Sequence, residues 1–175
     1  ATAATKGPLS SSAEQGAGTG NNDYAYHSGR GASGIDRIDY SNDTATAATK
    51  GNLTRNSSNR AAAGSQSYGY FSNGSPSHSN LNRIDFSNDT AEALEKGNLS
   101  APGYSSTYGL AASGNGSYGY WAGGREGSSV RSYVQRLDYS NDSANTVTKG
   151  ALAYYQSGFG ATGNDSYGYF GGAHN

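Results

Sequence analysis

Three times the chain spells the same phrase: RIDYSNDTATAATKG from Arg37, RIDFSNDTAEALEKG from Arg83 and RLDYSNDSANTVTKG from Arg136. A second phrase recurs as SYGYFSNG at Ser67, SYGYWAGG at Ser117 and SYGYFGGA at Ser166, with a weaker copy, DYAYHSGRG, at Asp23. A third, Lys-Gly-x-Leu, stands at Lys6, Lys50, Lys96 and Lys149. Their order never changes. Such repetition restricts the chain to architectures in which one small unit is copied and each copy buries its apolar face against the next. Tyr24, Tyr68, Tyr118 and Tyr167 are spaced by 44, 50 and 49 residues (68−24, 118−68, 167−118). That is about the length of a four-stranded propeller blade or of a helical-pair repeat.

The residues choose strands. RIDY alternates polar and apolar, so Arg37 and Asp39 share one face and Ile38 and Tyr40 the other. SYGYF puts Tyr68 and Tyr70 on one face, and Gly69 leaves room for a neighbouring backbone. Asn-Asp, Gly-Asn, Asn-Gly and Ser-Gly turns punctuate the phrases. With 27 Gly and a 33% apolar fraction the chain could be low complexity, but 15 Tyr favour short strands. TATAATKG and TAEALEKG suggest helix, yet each is short and follows a turn, so both are read as outer strands. The expected unit has AAAGSQ, SYGYFSN, NRIDFSN and TAEALEKGNL as its four strands, stacked so that neighbouring sheets share a core. The fold class is therefore all-β, a propeller of four imperfect four-stranded repeats, with units about 1–34, 35–82, 83–135 and 136–175 of a single domain.

Charge excludes several partners. Twelve Lys and Arg against 13 Asp and Glu leave a net charge of −1 with no basic cluster, so neither nucleic acid nor an anionic membrane is an expected partner. No apolar run reaches the roughly 20 residues of a spanning helix. Cys is absent, which removes disulfides and thiol chemistry. Met is absent too, so Ala1 is expected to be a processed end or the start of a piece, falling where an outer strand begins. The closing phrase SYGYFGGAHN is the second strand of a unit. The ends together thus leave one RIDYSND-type strand unsupplied, to come from further sequence or a neighbouring subunit, unless the blades never close and leave edges to pair with something else.

Candidate chemistry is sparse. Asp39 with Asp43, Asp85 with Asp89 and Asp138 with Asp142 could hold Ca²⁺, but the Gly and distal Glu of an EF-hand loop are missing. A hairpin turn at Asn42-Asp43, with side chains bonding the local backbone, explains the pair better. Arg37, Arg83 and Arg136 suggest either a guanidinium ring for an anion or a ladder of Arg-to-Asp pairs tying unit to unit, and the ladder is preferred. His27, His78 and His174 occupy unrelated places, and no catalytic set recurs. Asn42, Asn52, Asn88, Asn98, Asn115, Asn141 and Asn164 fit the glycan-acceptor triplet, as chance allows in this composition. Trp121 stands where other copies carry Phe71 or Phe170, and this break in the pattern makes it the candidate binding residue. No catalytic residue, metal ligand or cofactor is assigned.

The pattern resembles the Kelch repeat. Its Gly-Gly doublet is intact at Gly123-Gly124 and Gly171-Gly172, and its aromatic residue before the turn is Tyr40, Phe86 or Tyr139. The tryptophan usual on that family's outer strand is missing near Thr44, Thr90 and Ser143. The resemblance implies a Kelch-like β-propeller. A copper oxidase site, found in some members, would need a Cys. The wording of the repeats is also similar to repeat proteins of phage tail or head fibres. That resemblance implies a non-enzymatic structural or attachment part of a virion or extracellular fibre. Its expected partners are copies of itself, other structural proteins of the particle, or a cell-surface glycan. The alternatives are a self-assembling Gly/Ser/Tyr filament and a Kelch-like carbohydrate-active enzyme.

Overall fold

The computed structural model describes residues 2–29, 33–74, 78–102 and 107–172, whose strands form four antiparallel sheets. The first is a meander of β1 (Ala17–Gly20), β2 (Tyr24–Ser28), β3 (Gly34–Asp39) and β4 (Ala48–Asn52). The second repeats it with β5 (Ala62–Gly64), β6 (Tyr68–Ser72), β7 (Asn80–Asp85) and β8 (Leu94–Asn98). The third is built from β9 (Tyr108–Gly114), β10 (Tyr118–Glu126), a short β11 (Ser129–Val130) folded back on β10, β12 (Tyr133–Asp138) and β13 (Val147–Ala151). The fourth holds only β14 (Gly160–Gly163) and β15 (Gly168–Gly171). The protein is all-β, with no α-helix among the described residues.

SYGYF and RIDY pair as the second and third strands, with Tyr68 opposite Asp85 and Tyr70 opposite Arg83. The sheets consequently span 17–52, 62–98 and 108–151. Divisions at 35, 83 and 136 cut through them, because each RIDY strand belongs with the SYGYF strand before it. The hairpins that open each sheet share one local device. Asn21 Oδ1 accepts from the backbone N–H of Asp23 and Tyr24 at 3.0 and 2.9 Å, and Asn115 and Asn164 do the same for their turns. Ser65 Oγ takes the place of the amide oxygen in the second sheet.

The RIDYSND turn differs from the expected hairpin. Asp39 caps a single 3₁₀ turn, Tyr40–Asn42, by accepting from Ser41 N at 2.8 Å and Ser41 Oγ at 2.6 Å. Asp85 and Asp138 cap Phe86–Asn88 and Tyr139–Asn141 in the same way. These hydroxyl and N–H donors stabilise the ionised carboxylate, so Asp39, Asp85 and Asp138 are held below the usual carboxylate range. With the cap made by the first Asp, the second is free to reach another sheet. The TAEA residues after the turn are also outside the strand, which begins only at Leu94.

The core lies between sheets. Tyr26, Ile35 and Leu53 pack with Phe71, Ile84 and Ala93 across the first junction. Tyr70, Leu81 and Leu99 pack with Leu110, Trp121 and Leu137 across the second. No sheet buries its apolar face alone, which is the energetic reason the phrases must recur.

Candidate functional site

The polar residues that the repeats preserve meet at the junctions. Asp89 Oδ2 accepts from Arg37 Nη1 at 2.8 Å and from Tyr26 Oη at 3.0 Å, while Lys50 Nζ lies 3.2 Å from Oδ1. Asp142 repeats the set with Arg83 at 2.8 Å, Tyr70 at 3.0 Å and Lys96 at 3.1 Å. The acceptor always comes from the next sheet along the chain and the donors from the one before. Burial, reinforced by the adjacent carboxylate, pushes the Tyr26 and Tyr70 hydroxyls far above their ordinary range, so they act as donors. The Arg-to-Asp ladder is present with two rungs, from Arg37 and Arg83 to the second Asp of the following phrase, not to the one two residues on.

Aromatic stacking closes each junction. Phe86 lies on Tyr26 with centroids 4.5 Å apart and planes 9° from parallel, and Tyr139 lies on Tyr70 at 4.7 Å and 3°. Arg37, Arg83 and Arg136 sit over the rings of Tyr24, Tyr68 and Tyr118 at 4.2, 4.4 and 4.2 Å. The Lys-Gly phrase then straps across: Gly51 N donates to Asp89 O at 2.8 Å and Gly97 N to Asp142 O at 2.9 Å. Lys6 and Gly7 straddle the first turn in the same way, with Gly7 N donating to Asp43 O and Lys6 Nζ 3.1 Å from the Asp43 carboxylate.

A further link escaped the sequence reading. Ser10, Thr54 and Ser100, each following the Leu of the strap, donate to Asp36, Asn82 and Gln135, each preceding the Arg of RIDY. Thr54 gives both its N–H and its hydroxyl to Asn82 Oδ1, at 2.9 and 2.7 Å. The signal was there, since a hydroxyl and a side-chain acceptor recur at fixed places. The acceptor changes identity in every copy, which hid it.

Trp121 corrects an expectation. Its ring is wholly buried between the second and third sheets, with Nε1 donating to Ala61 O at 3.4 Å, so it offers no face to a ligand. Phe71 fills the same place one junction earlier, and the larger indole is a packing choice. His27 is half-buried, and that burial holds its imidazole below the ordinary value against the opposing pull of Asp36. His78 is half-buried in the connection just before β7, and His174 lies outside the described residues. No group of three or more acidic, His or Cys side chains converges among the described residues. The paired Asp of each phrase serve separate partners: the first its own turn, the second the preceding sheet or, for Asp43, Lys6 of the strap.

The four opening hairpins converge. Gly20, Gly64, Gly114 and Gly163, one from each sheet, line a single opening of about 320 Å³. Neighbouring turns are linked there by Asn22 N to Gln66 Oε1 at 3.1 Å and by Asn115 Nδ2 to Asp165 O at 3.2 Å. No helix among the described residues is long and apolar enough to cross a membrane. No protein-family model matches the chain, and no curated protein matches it significantly.

Proposed function

We propose that the protein is a non-enzymatic scaffold, a Kelch-like propeller array that serves as a structural or attachment part of a virion surface or extracellular fibre. The observation that carries this reading is how the repeated polar residues are used. Arg, Lys, Tyr and Asp of successive phrases meet one another at the junctions, where they hold sheet to sheet. The propeller arrangement draws its support from the convergence of hairpins from all four sheets on one opening. Contacts to sister subunits or to a surface glycan would fall on the loops that vary between repeats, such as residues 54–60 and 123–132. Two measurements on the purified protein test the reading. Small-angle scattering should give the profile of a short disc, and an extended rod would refute the propeller. Incubation with a panel of glycans should give binding or nothing, and saturable turnover of any sugar would refute the scaffold role.

A further inference from the structure

The junction that holds the first sheet to the second, and the second to the third, is repeated a third time with its acceptor missing. Tyr120, Arg136, Lys149 and Gly150 stand where Tyr70, Arg83, Lys96 and Gly97 surround Asp142. Among the described residues no carboxylate comes within ion-pair reach of Arg136 or Lys149. A side chain built at Gly51 or Gly97 would strike the carbonyl of Ala91 or Ala144 in the following turn, whereas around Gly150 nothing lies within 4 Å. All of Val147–Ala151 is exposed.

Beside this vacant grip lies a cavity of about 310 Å³, lined among others by Tyr120, Val134, Gly168 and Phe170. At the filled junctions the matching space is taken by an aromatic ring: Phe86 against Tyr26 and Gly69, and Tyr139 against Tyr70 and Gly119. The strand beside it is unpaired as well. Among the described residues β15 bonds only to β14, while β2, β6 and β10 each carry a RIDY-type strand on the other side. Tyr169 is consequently 61% exposed where its counterpart Tyr70 is fully buried, and Tyr167 is 67% exposed where Tyr68 is half-buried.

We propose that the open face formed by β15 and the third sheet is a docking site for one strand-and-turn segment of the chemistry Arg-apolar-Asp-aromatic-Ser-Asn-Asp. The segment adds as a strand to β15, sets its Arg over Tyr167, seats its aromatic ring on Tyr120 and Gly168, and places its last carboxylate between Arg136 and Lys149. Two unspent cations and a hydroxyl select for that carboxylate. A second copy of the chain does not supply it. The turn of its first sheet is already strapped, with Asp43 held by Lys6 and Gly7 and with Ala47 N bonded to Pro8 O. Ala153 stands where Ser10, Thr54 and Ser100 carry hydroxyls, so that only its N–H is left to donate and the grip depends more on the carboxylate. The inference rests on the repeat geometry and is independent of the role proposed above.

The probe is a fluorescein-labelled peptide with the sequence of residues 80–91, titrated with the full chain and followed by anisotropy. Saturable binding is expected, weakening with salt and falling about tenfold or more when the peptide carries Asp89→Asn. Gly150→Leu in the protein should leave its melting temperature unchanged, because the site is open, yet reduce binding by a similar factor. No saturation, equal binding of both peptides, or full binding by Gly150→Leu overturns the proposal. Self-association of the protein alone that Gly150→Leu abolishes would put a second copy in the site and overturn it equally.

Discussion

Asp43, Asp89 and Asp142 occupy one place in the repeat and live in different surroundings. Asp89 and Asp142 are almost covered, with 9% of each side chain exposed, and each gathers an Arg, a Lys and a Tyr. Asp43, at 39% exposed, has Lys6 as its ion-pair partner. Removing one member of a buried pair strands the others. Asp142→Asn should therefore cost about 2–4 kcal/mol in urea denaturation, while Asp43→Asn should cost less than about 1 kcal/mol. Equal costs would mean that the junctions owe little to the carboxylate. His27 provides the pH-sensitive counterpart. Its folded-state value is depressed by burial, so the unfolded chain takes a proton the native protein resists. Stability is then greatest above the unfolded value of about 6.5 and falls as pH drops through and below it. His27→Phe, which copies Phe71 and Phe170, should flatten that slope. Melting temperatures of both proteins between pH 8 and pH 5 would reveal a slope that persists, contrary to expectation.

Strands two and three were legible because their signals are local: Tyr70 and Phe71 alternate between the neighbouring sheets, and turn residues bound them on both sides. The strap was harder to read. Gly51 and Gly97 look like turn residues in the sequence, but each is a glycine because a turn from the next sheet presses on its Cα. That contact is long-range, and no window of the sequence contains both partners. Likewise the second Asp of SND reads as a turn former until the next sheet is in place. Trp121 misled for the opposite reason: uniqueness in a repeat frame suggested a ligand, when the core between two sheets simply accepts a larger ring at that junction. The strap yields a direct comparison. Gly97→Ala drives a methyl into the Ala144 carbonyl and should destabilise by about 3 kcal/mol. Gly150→Ala meets nothing and should change stability by less than about 0.5 kcal/mol. Similar losses at both positions in chemical denaturation would show that Gly97 is needed for its backbone freedom and not for the close approach.

At the scale of the molecule, stability should follow the number of junctions each sheet completes. The second sheet has a sheet packed on either side, and its strands β6 and β7 bury Tyr70, Phe71, Leu81 and Ile84 to 4% exposure or less. The first sheet receives the segment that precedes β1, with its strap of residues 6–10, in place of a further sheet among the described residues, and Ile38 is left half-buried where Ile84 and Leu137 are covered. The β14–β15 hairpin completes none: it rests on β9, with β15 an open edge bearing exposed tyrosines. In a stack of repeated sheets interface terms dominate, and the sheet with the fewest completed junctions opens first. Backbone amides of Tyr68–Ser72 and Asn80–Asp85 should therefore exchange with deuterium at the rate of global unfolding. Those of Gly168–Gly171 should exchange faster by about a hundredfold or more, through local opening. Exchange followed by mass spectrometry on dilute protein settles it. Protection of Gly168–Gly171 equal to that of the second sheet would mean that the edge is covered in solution and that the chain closes on itself.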